Sequence, residues 1–231
     1  MMRIVSIVSL FFTMFLFGGI VRSTVGARSQ YMTTSESKPY DSEILYLQGQ
    51  YGNNLTWIDT GVSLYDGDIE IVFQFPQHSI NAGAFGYSVY GAWKGESVAG
   101  LVAGCSCFDY NNKFSFRYGA AQTLFYSVFD TDIHVFSTSL QRMFLDGEDL
   151  GISGRVTTYG EYIVDTIPLF CERNRGVVGA TSSARIYSFR CEGVIDLIPV
   201  RIGDEGYMYD LISGKLLGNE GTGKFVLGPD K

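Results

Sequence analysis

The chain has 231 residues, enough for one large domain around a single core and marginal for two. Its 15 Tyr, 17 Phe and 28 Gly against 5 Pro, with Val, Ile and Thr in short runs between glycines, give the composition of an antiparallel β protein. A formal charge of −7 and the lack of any basic stripe argue against a nucleic-acid partner.

The N-terminus differs in kind from the rest. After Arg3, residues 4–21 are almost wholly apolar and run up to Arg22, and Val25-Gly26-Ala27 supplies the small residues of a cleavage site. Two readings of residues 1–27 follow: a removable secretory signal, or an uncleaved anchor, since 4–21 is near the minimum length for crossing a bilayer. Membrane contact is expected only through residues 4–21, and only in the second case. The plainer alternatives are a start site placed too early and an apolar tail buried on a partner chain. Residues 28–42 are polar around Pro39 and read as a linker, so the folded domain is expected over 43–231.

Short strands are expected at 44–48 and 56–62. Asp66-Gly67 then launches 68–75, where Ile69, Ile71, Phe73 and Phe75 share one face by the two-residue period. Two strand-rich segments follow at 83–93 and 107–118, with Asn111-Asn112 as a hairpin turn. Residues 132–138 and 141–147 form a hairpin, and Asp146-Gly147 is a strong turn signal. Segments 167–171 and 184–191 read as inner strands, and 196–200 leads into closing turns. No stretch after the leader keeps a helical period. Regularly spaced strands without helices predict an all-β, two-sheet antiparallel sandwich.

The closing run alternates apolar residues with turn formers: Tyr209-Asp210-Leu211, Ser213-Gly214-Lys215, Asn219, Gly221-Thr222-Gly223, Phe225 and Gly228-Pro229. It resembles the "YDLxSGKxxxNxGTGxFxxGP" run that closes concanavalin A-like, LamG-like jelly-roll domains in phage tail-fibre and minor structural proteins and in surface proteins of gut bacteria. Four further segments carry the resemblance: Trp57-Ile58-Asp59-Thr60-Gly61, His134 ahead of Leu145-Asp146-Gly147, Arg185-Ile186-Tyr187-Ser188-Phe189, and Asp196-Leu197-Ile198-Pro199-Val200. It spans roughly residues 43–231. It implies a jelly-roll sandwich, secreted, on a cell surface or on a virion, with His134 in an architectural role bonded to backbone. It supplies no catalytic set.

Sugar-binding sandwiches stack sugar rings on exposed aromatic side chains and fix hydroxyls with Asp, Asn or Arg. Tyr87, Tyr90 and Trp93, set among glycines, with Tyr110, Asn112 and Arg117 on the neighbouring strand, form the candidate glycan site. Calcium is the cofactor to consider, because relatives of this fold bind it, and Asp66 and Asp68 near a turn offer the hard oxygen ligands it needs.

Other motifs weigh less. Asp68 and Glu70 share a strand face as glycosidase acids do, yet the next position on that face is the apolar Val72, so solvation of a strand edge is the leading reading. His134 has Asp130 and Asp132 close by, but no Gly-x-Ser-x-Gly elbow accompanies it. Residues 218–224 match the opening of a phosphate-binding loop, but Phe225 stands where a hydroxyl must hold magnesium and Gly228-Pro229 bars a following helix. Cys105 and Cys107 supply half of a zinc pattern. Cys171 and Cys191 read as core thiols or, in an exported chain, as a disulfide between adjacent strands. Asn54-Leu55-Thr56 is a formal glycosylation sequon.

The expected function is a non-catalytic recognition module whose partner is a glycan or surface polysaccharide, with homo-oligomers in view. The alternatives are a purely structural assembly domain and a divergent glycoside hydrolase.

Overall fold

A computed structural model describes residues 37–50, 55–63, 66–78, 82–90, 101–110, 113–119, 124–139, 142–153, 166–174, 177–179 and 181–231. In chain order its strands are β1 Ser42–Glu43, β2 Leu47–Gln48, β3 Ile58–Asp59, β4 Ile69–Gln74, β5 Ala82–Tyr90, β6 Leu101–Tyr110, β7 Lys113–Gly119 and β8 Leu124–Val128. There follow β9 His134–Ser139, β10 Arg142–Leu145, β11 Glu148–Ser153, β12 Pro168–Leu169, β13 Glu172–Asn174 and β14 Val177–Gly179. The last five are β15 Arg185–Cys191, β16 Ile195–Ile202, β17 Glu205–Asp210, β18 Leu216–Leu217 and β19 Val226–Leu227. No helix occurs among the described residues. The leader 1–27 lies outside them.

The strands build two sheets, as the alternating pattern predicts. The first runs β11-β10-β9-β4-β15-β16-β17-β18, with β1 added to β16 and β2 joining β15 to β19. The second runs β14-β13-β5-β6-β7-β8, with β12 against β5 and β3 against β12. All pairings are antiparallel except that of β13 with β5. In β4, Ile69, Ile71 and Phe73 are buried while Glu70 is exposed, and Phe75 continues the buried row. These side chains meet the inner face of the second sheet: Phe73 lies 6.0 Å from Phe85 and 6.2 Å from Phe114 between ring centroids, and Phe136 stacks on Phe116 at 5.2 Å. One aromatic-rich core therefore fills the space between the layers, and its apolar burial is the main favourable term in folding.

Turns behave as their residues require. Asp146 and Gly147 have φ of 52° and 81°, the left-handed pair of a two-residue hairpin joining β10 to β11. Tyr110 pairs with Lys113 across Asn111-Asn112, so the expected β6–β7 hairpin has a two-residue connection.

Three expectations change, and of the two readings of Cys171 and Cys191 the structure agrees with core side chains. Residues 44–48 do not form one strand: β1 pairs with β16, Ile44 bridges Asp230, and β2 pairs with β15 and β19, so the chain changes partner midway. Residues 38–42, read as linker, belong to the unit Lys38–Lys231, where the Asp41 amide donates to the Arg201 carbonyl at 2.9 Å and the Gly203 amide donates to Asp41 Oδ2 at 2.7 Å. Segment 167–171 is strand only at β12, because Phe170 takes φ 68° to bury its ring 4.7 Å from that of Phe225. Cys171 follows β12 in the second sheet while Cys191 ends β15 in the first. Both are buried, and no bond joins them because they are not on adjacent strands.

Candidate functional site

The outer face of the first sheet, across β9, β4 and β15, carries half-exposed polar and aromatic side chains, among them Gln74, Arg185 and Tyr187. Strand alternation puts it there: where Ile69, Ile71 and Phe73 turn inward, Glu70, Val72 and Gln74 turn outward. Register then sets neighbours side by side. Ser137, Glu70, Arg190 and Asp196 form one cross-strand row, and Gln74, Arg185 and Gln48 form another. Between them Tyr187 is the extra residue of a bulge in β15, where the pairing skips from Ile186–Phe73 to Ser188–Val72.

The second row is a hydrogen-bonded cluster. Arg185 donates from Nε to Gln48 Oε1 at 2.8 Å and from Nη1 to Gln74 Oε1 at 3.2 Å. The Tyr187 hydroxyl donates to the same Gln74 Oε1 at 2.8 Å, and Gln74 Nε2 donates to the Thr131 carbonyl at 2.8 Å. The Arg185 guanidinium lies 4.5 Å from the Tyr46 ring centre, and Tyr46 meets Tyr187 edge-on at 5.5 Å. Burial raises the Tyr187 phenol pKa, against the Arg185 charge, so the hydroxyl stays protonated and able to donate. Past the first row, Asp68, Glu70, Ser137, Thr138, Arg190 and Glu192 line an open groove of about 310 Å³.

The chemistry of this face is recognition by hydrogen bonds and ring contacts. Its acceptors and donors are placed by strands rather than loops, so little order has to be gained on binding. Among the described residues no three His, Cys, Asp or Glu side chains converge as metal ligands would. Asp66, named for calcium, accepts the Ser63 amide at 2.6 Å and closes its own turn, while Asp68 borders the groove.

The residues expected to bind glycan fall elsewhere. Tyr87, Tyr90, Tyr110 and Arg117 lie on β5, β6 and β7 of the second sheet, where only their backbone is described. Trp93 and Asn112 lie outside the described residues. Tyr87 pairs with Cys105, which pairs with Tyr118, whereas Arg117 pairs with Ser106 opposite Gly86, so Tyr87 and Arg117 occupy neighbouring rows and not one row. Of the residues on this face the sequence pattern names only Asp68 and Glu70, while Arg185 and Tyr187 stand in a segment that carries the resemblance without being named as site residues. Their signal was position: each alternates with a core residue.

His134 is architectural, but its partners are carboxylates and not backbone. Nδ1 lies 2.8 Å from Asp146 Oδ2 and Nε2 lies 2.8 Å from Asp130 Oδ1. Burial lowers its pKa, yet the hydrogen bonds to Asp146 and Asp130 outweigh that and raise it above the ordinary value. In its protonated form both ring nitrogens donate, and the imidazolium then clamps the start of β9 to the β10–β11 turn with no lone pair to act as a base. Asp132, the other acid considered, is not a partner: its amide donates to Asp130 Oδ1 at 2.8 Å.

The residues of the closing run also have structural tasks. Asp210, 3% exposed, accepts the amides of Asp196 (2.9 Å), Ile212 (3.1 Å) and Ser213 (3.1 Å), together with the Ser213 hydroxyl. Asn219 Oδ1 accepts the amides of Trp57 (3.1 Å) and Gly221 (2.9 Å), and its Nδ2 donates to the Gly223 carbonyl at 2.6 Å. The phosphate-loop pattern at 218–224 is thus a turn clamped on residues 55–57 ahead of β19. Trp57 in turn faces Arg173, whose Nη2 donates to Asp59 Oδ2 at 3.0 Å.

No family model matches the chain, and no curated protein does. Two solved structures of Trypanosoma rangeli sialidase, one with sialic acid and one with 2,3-difluorosialic acid as a covalent intermediate, are similar over 62% of this chain. The identity is 14% and the TM-score 0.39 in both, and the chain spans about a quarter of the sialidase's length. At this distance nothing about that enzyme's chemistry transfers to the present chain.

Proposed function

We propose that residues 38–231 form a concanavalin A-like jelly-roll module that recognises glycan without turning it over, exported by its apolar leader to a cell surface or displayed on a virion. The observation that carries this reading is the outer face of the first sheet. Half-exposed Tyr46 and Tyr187 rings, a fixed Arg185 and a polar groove offer together what a sugar presents: C–H faces for aromatic contact and hydroxyls for hydrogen bonds.

The test is a glycan array with the full chain, with calcium and with chelator, followed by Tyr187→Ala and Tyr87→Ala. Binding lost in Y187A and kept in Y87A supports the first-sheet site. The reverse result returns the site to the Tyr87, Tyr90 and Trp93 segment. Silence across the array, together with a discrete oligomer in solution, would favour an assembly domain.

A second reading draws on a specific feature, since Asp68, Glu70 and Glu192 border one groove and paired carboxyls can hydrolyse glycosides. Release of reducing ends from a bound glycan, abolished in Glu70→Gln while binding persists, would establish it.

A further inference from the structure

We infer that the glycan read on this face carries a carboxylate, and that Arg185 receives it; this rests on the glycan reading above and sharpens it to acidic saccharides. The argument begins with pairing. Arg142, Arg173 and Arg201 each meet a carboxylate, Asp149, Asp59 and Asp230 respectively. Arg185 meets none among the described residues, although the chain holds 24 acids against 17 Lys and Arg. Arg190 has no ion pair among them either, but it stands in register between the acids Glu70 and Asp196, whereas the cross-strand neighbours of Arg185 are the neutral Gln74 and Gln48. Its companions are the neutral carbonyl oxygens of Gln48 and Gln74 and the face of Tyr46.

Neutral acceptors orient a guanidinium without cancelling its charge. Gln74 is itself fixed in one sense, because its amide nitrogen is spent on the Thr131 carbonyl and its oxygen also takes the Tyr187 hydroxyl. Of the five N–H donors of an arginine, two go to the glutamines and the guanidinium also leans on the Tyr187 hydroxyl, which still leaves donors for a ligand. A planar anion can take such donors as a fork, the geometry that distinguishes arginine from lysine. Ring contact with Tyr46 holds the fork flat, so little side-chain entropy remains to be lost on binding.

The rest of the face suits the remainder of such a ligand. From the Gln74 row to the Glu70 row is four residues along β4, roughly 13 Å at the usual strand rise. There Glu70 and Asp68 line the groove as acceptors for sugar hydroxyls. A saccharide with its carboxylate at Arg185 would therefore lay neutral, hydroxyl-rich units toward the acidic end. The chain's overall charge of −7 repels anions at long range, so the selectivity has to come from this local contact.

The experiment measures binding of the full chain by calorimetry to four probes. These are oligogalacturonate, the same oligosaccharide with its carboxyls reduced to neutral galactose units, a sialylated oligosaccharide and a carrageenan oligosaccharide, which carries sulfate and no carboxylate. The expected result is tighter binding of one carboxylated probe than of the neutral one, by roughly 10- to 100-fold. Which of the two it is identifies the source of the carboxylate. Arg185→Gln should remove that advantage and leave the weak neutral binding unchanged, and Arg185→Lys should restore it only in part. Should R185Q not fold, Gln48→Glu places a carboxylate on the same guanidinium and should remove the advantage with Arg185 still present. Equal affinity for the carboxylated and neutral probes, preference for the sulfated carrageenan probe alone, or an unchanged preference in R185Q and Q48E would overturn the inference while glycan binding stood. No binding to any saccharide would overturn both.

Discussion

Asp210 holds the closing turns more by its charge than by its shape. Truncation in Asp210→Ala removes the acceptor for three amides and one hydroxyl. Leu211, Ile212 and Ser213 are exposed, so the two turn amides can bind water in the variant. The Asp196 amide, on β16, is less accessible, and an orphaned donor of that kind costs about 1–3 kcal/mol. Adding the lost ordering of the turn and subtracting the relief of an unburied carboxylate leaves a net loss of about 3 kcal/mol. For a domain of this size that corresponds to a melting point lower by roughly 6–12 °C. Asp210→Asn, which keeps one carbonyl oxygen, should cost about half as much. Urea denaturation followed by tryptophan fluorescence measures both. The pH dependence has a definite sign: the hydrogen bonds outweigh the burial that would raise the Asp210 pKa, and hold it below the ordinary value. The contribution is therefore full above the unfolded value, about 3.9, and is lost as pH falls through the depressed folded value. The gap between wild type and D210A should close in acid. A loss under about 1 kcal/mol at pH 7, or a gap that does not narrow in acid, would refute the reasoning.

Two further predictions concern the remaining clamps. His134→Gln should cost about 1–2 kcal/mol near pH 6, the modest size reflecting half-exposed Asp130 and Asp146. Because the folded pKa is raised, that difference is complete below about 6.5 and should disappear as pH rises through the folded value. Stability curves from pH 5 to 9 and an NMR titration of the imidazole check it. Gly221→Ala should destabilise by more than about 2 kcal/mol, since a Cβ there would stand 2.7 Å from the Leu55 carbonyl carbon and closer still to its oxygen. Gly214→Ala meets only the Tyr209 hydroxyl at 3.6 Å and should lose about 1–2 kcal/mol for its φ of 73°. Thermal melts of the pair should therefore rank G221A as the worse.

The thiol of Cys191 fits the same picture of a packed and inert framework. Burial, reinforced by Asp66, Asp68 and Glu192, pushes it up to about 11, so it is a poor nucleophile at neutral pH and behaves as a core side chain.

Much of this molecule could be read from local pattern. The two-residue alternation at Ile69, Ile71 and Phe73 selected the core face of β4, and the left-handed demands of Asp146-Gly147 located a hairpin. The closing run announced turns, and Asp210 and Gly214 make them. Local pattern also set aside the phosphate-loop match, because Phe225 has no hydroxyl to offer, and the fold uses that ring in the core instead.

Composition and periodicity thus determined the all-β class, the inward faces and the turns, since each depends on residues a few positions apart. Only the tertiary structure decided what the outward faces do. Arg185 finds Gln48 from 137 positions away and Gln74 from 111, and Asn219 finds Trp57 from 162. Such partners are set by which strands pair and in what register. An outward-facing residue carries no mark of its cross-strand neighbour, because the alternation that placed it outward would be the same beside any other strand.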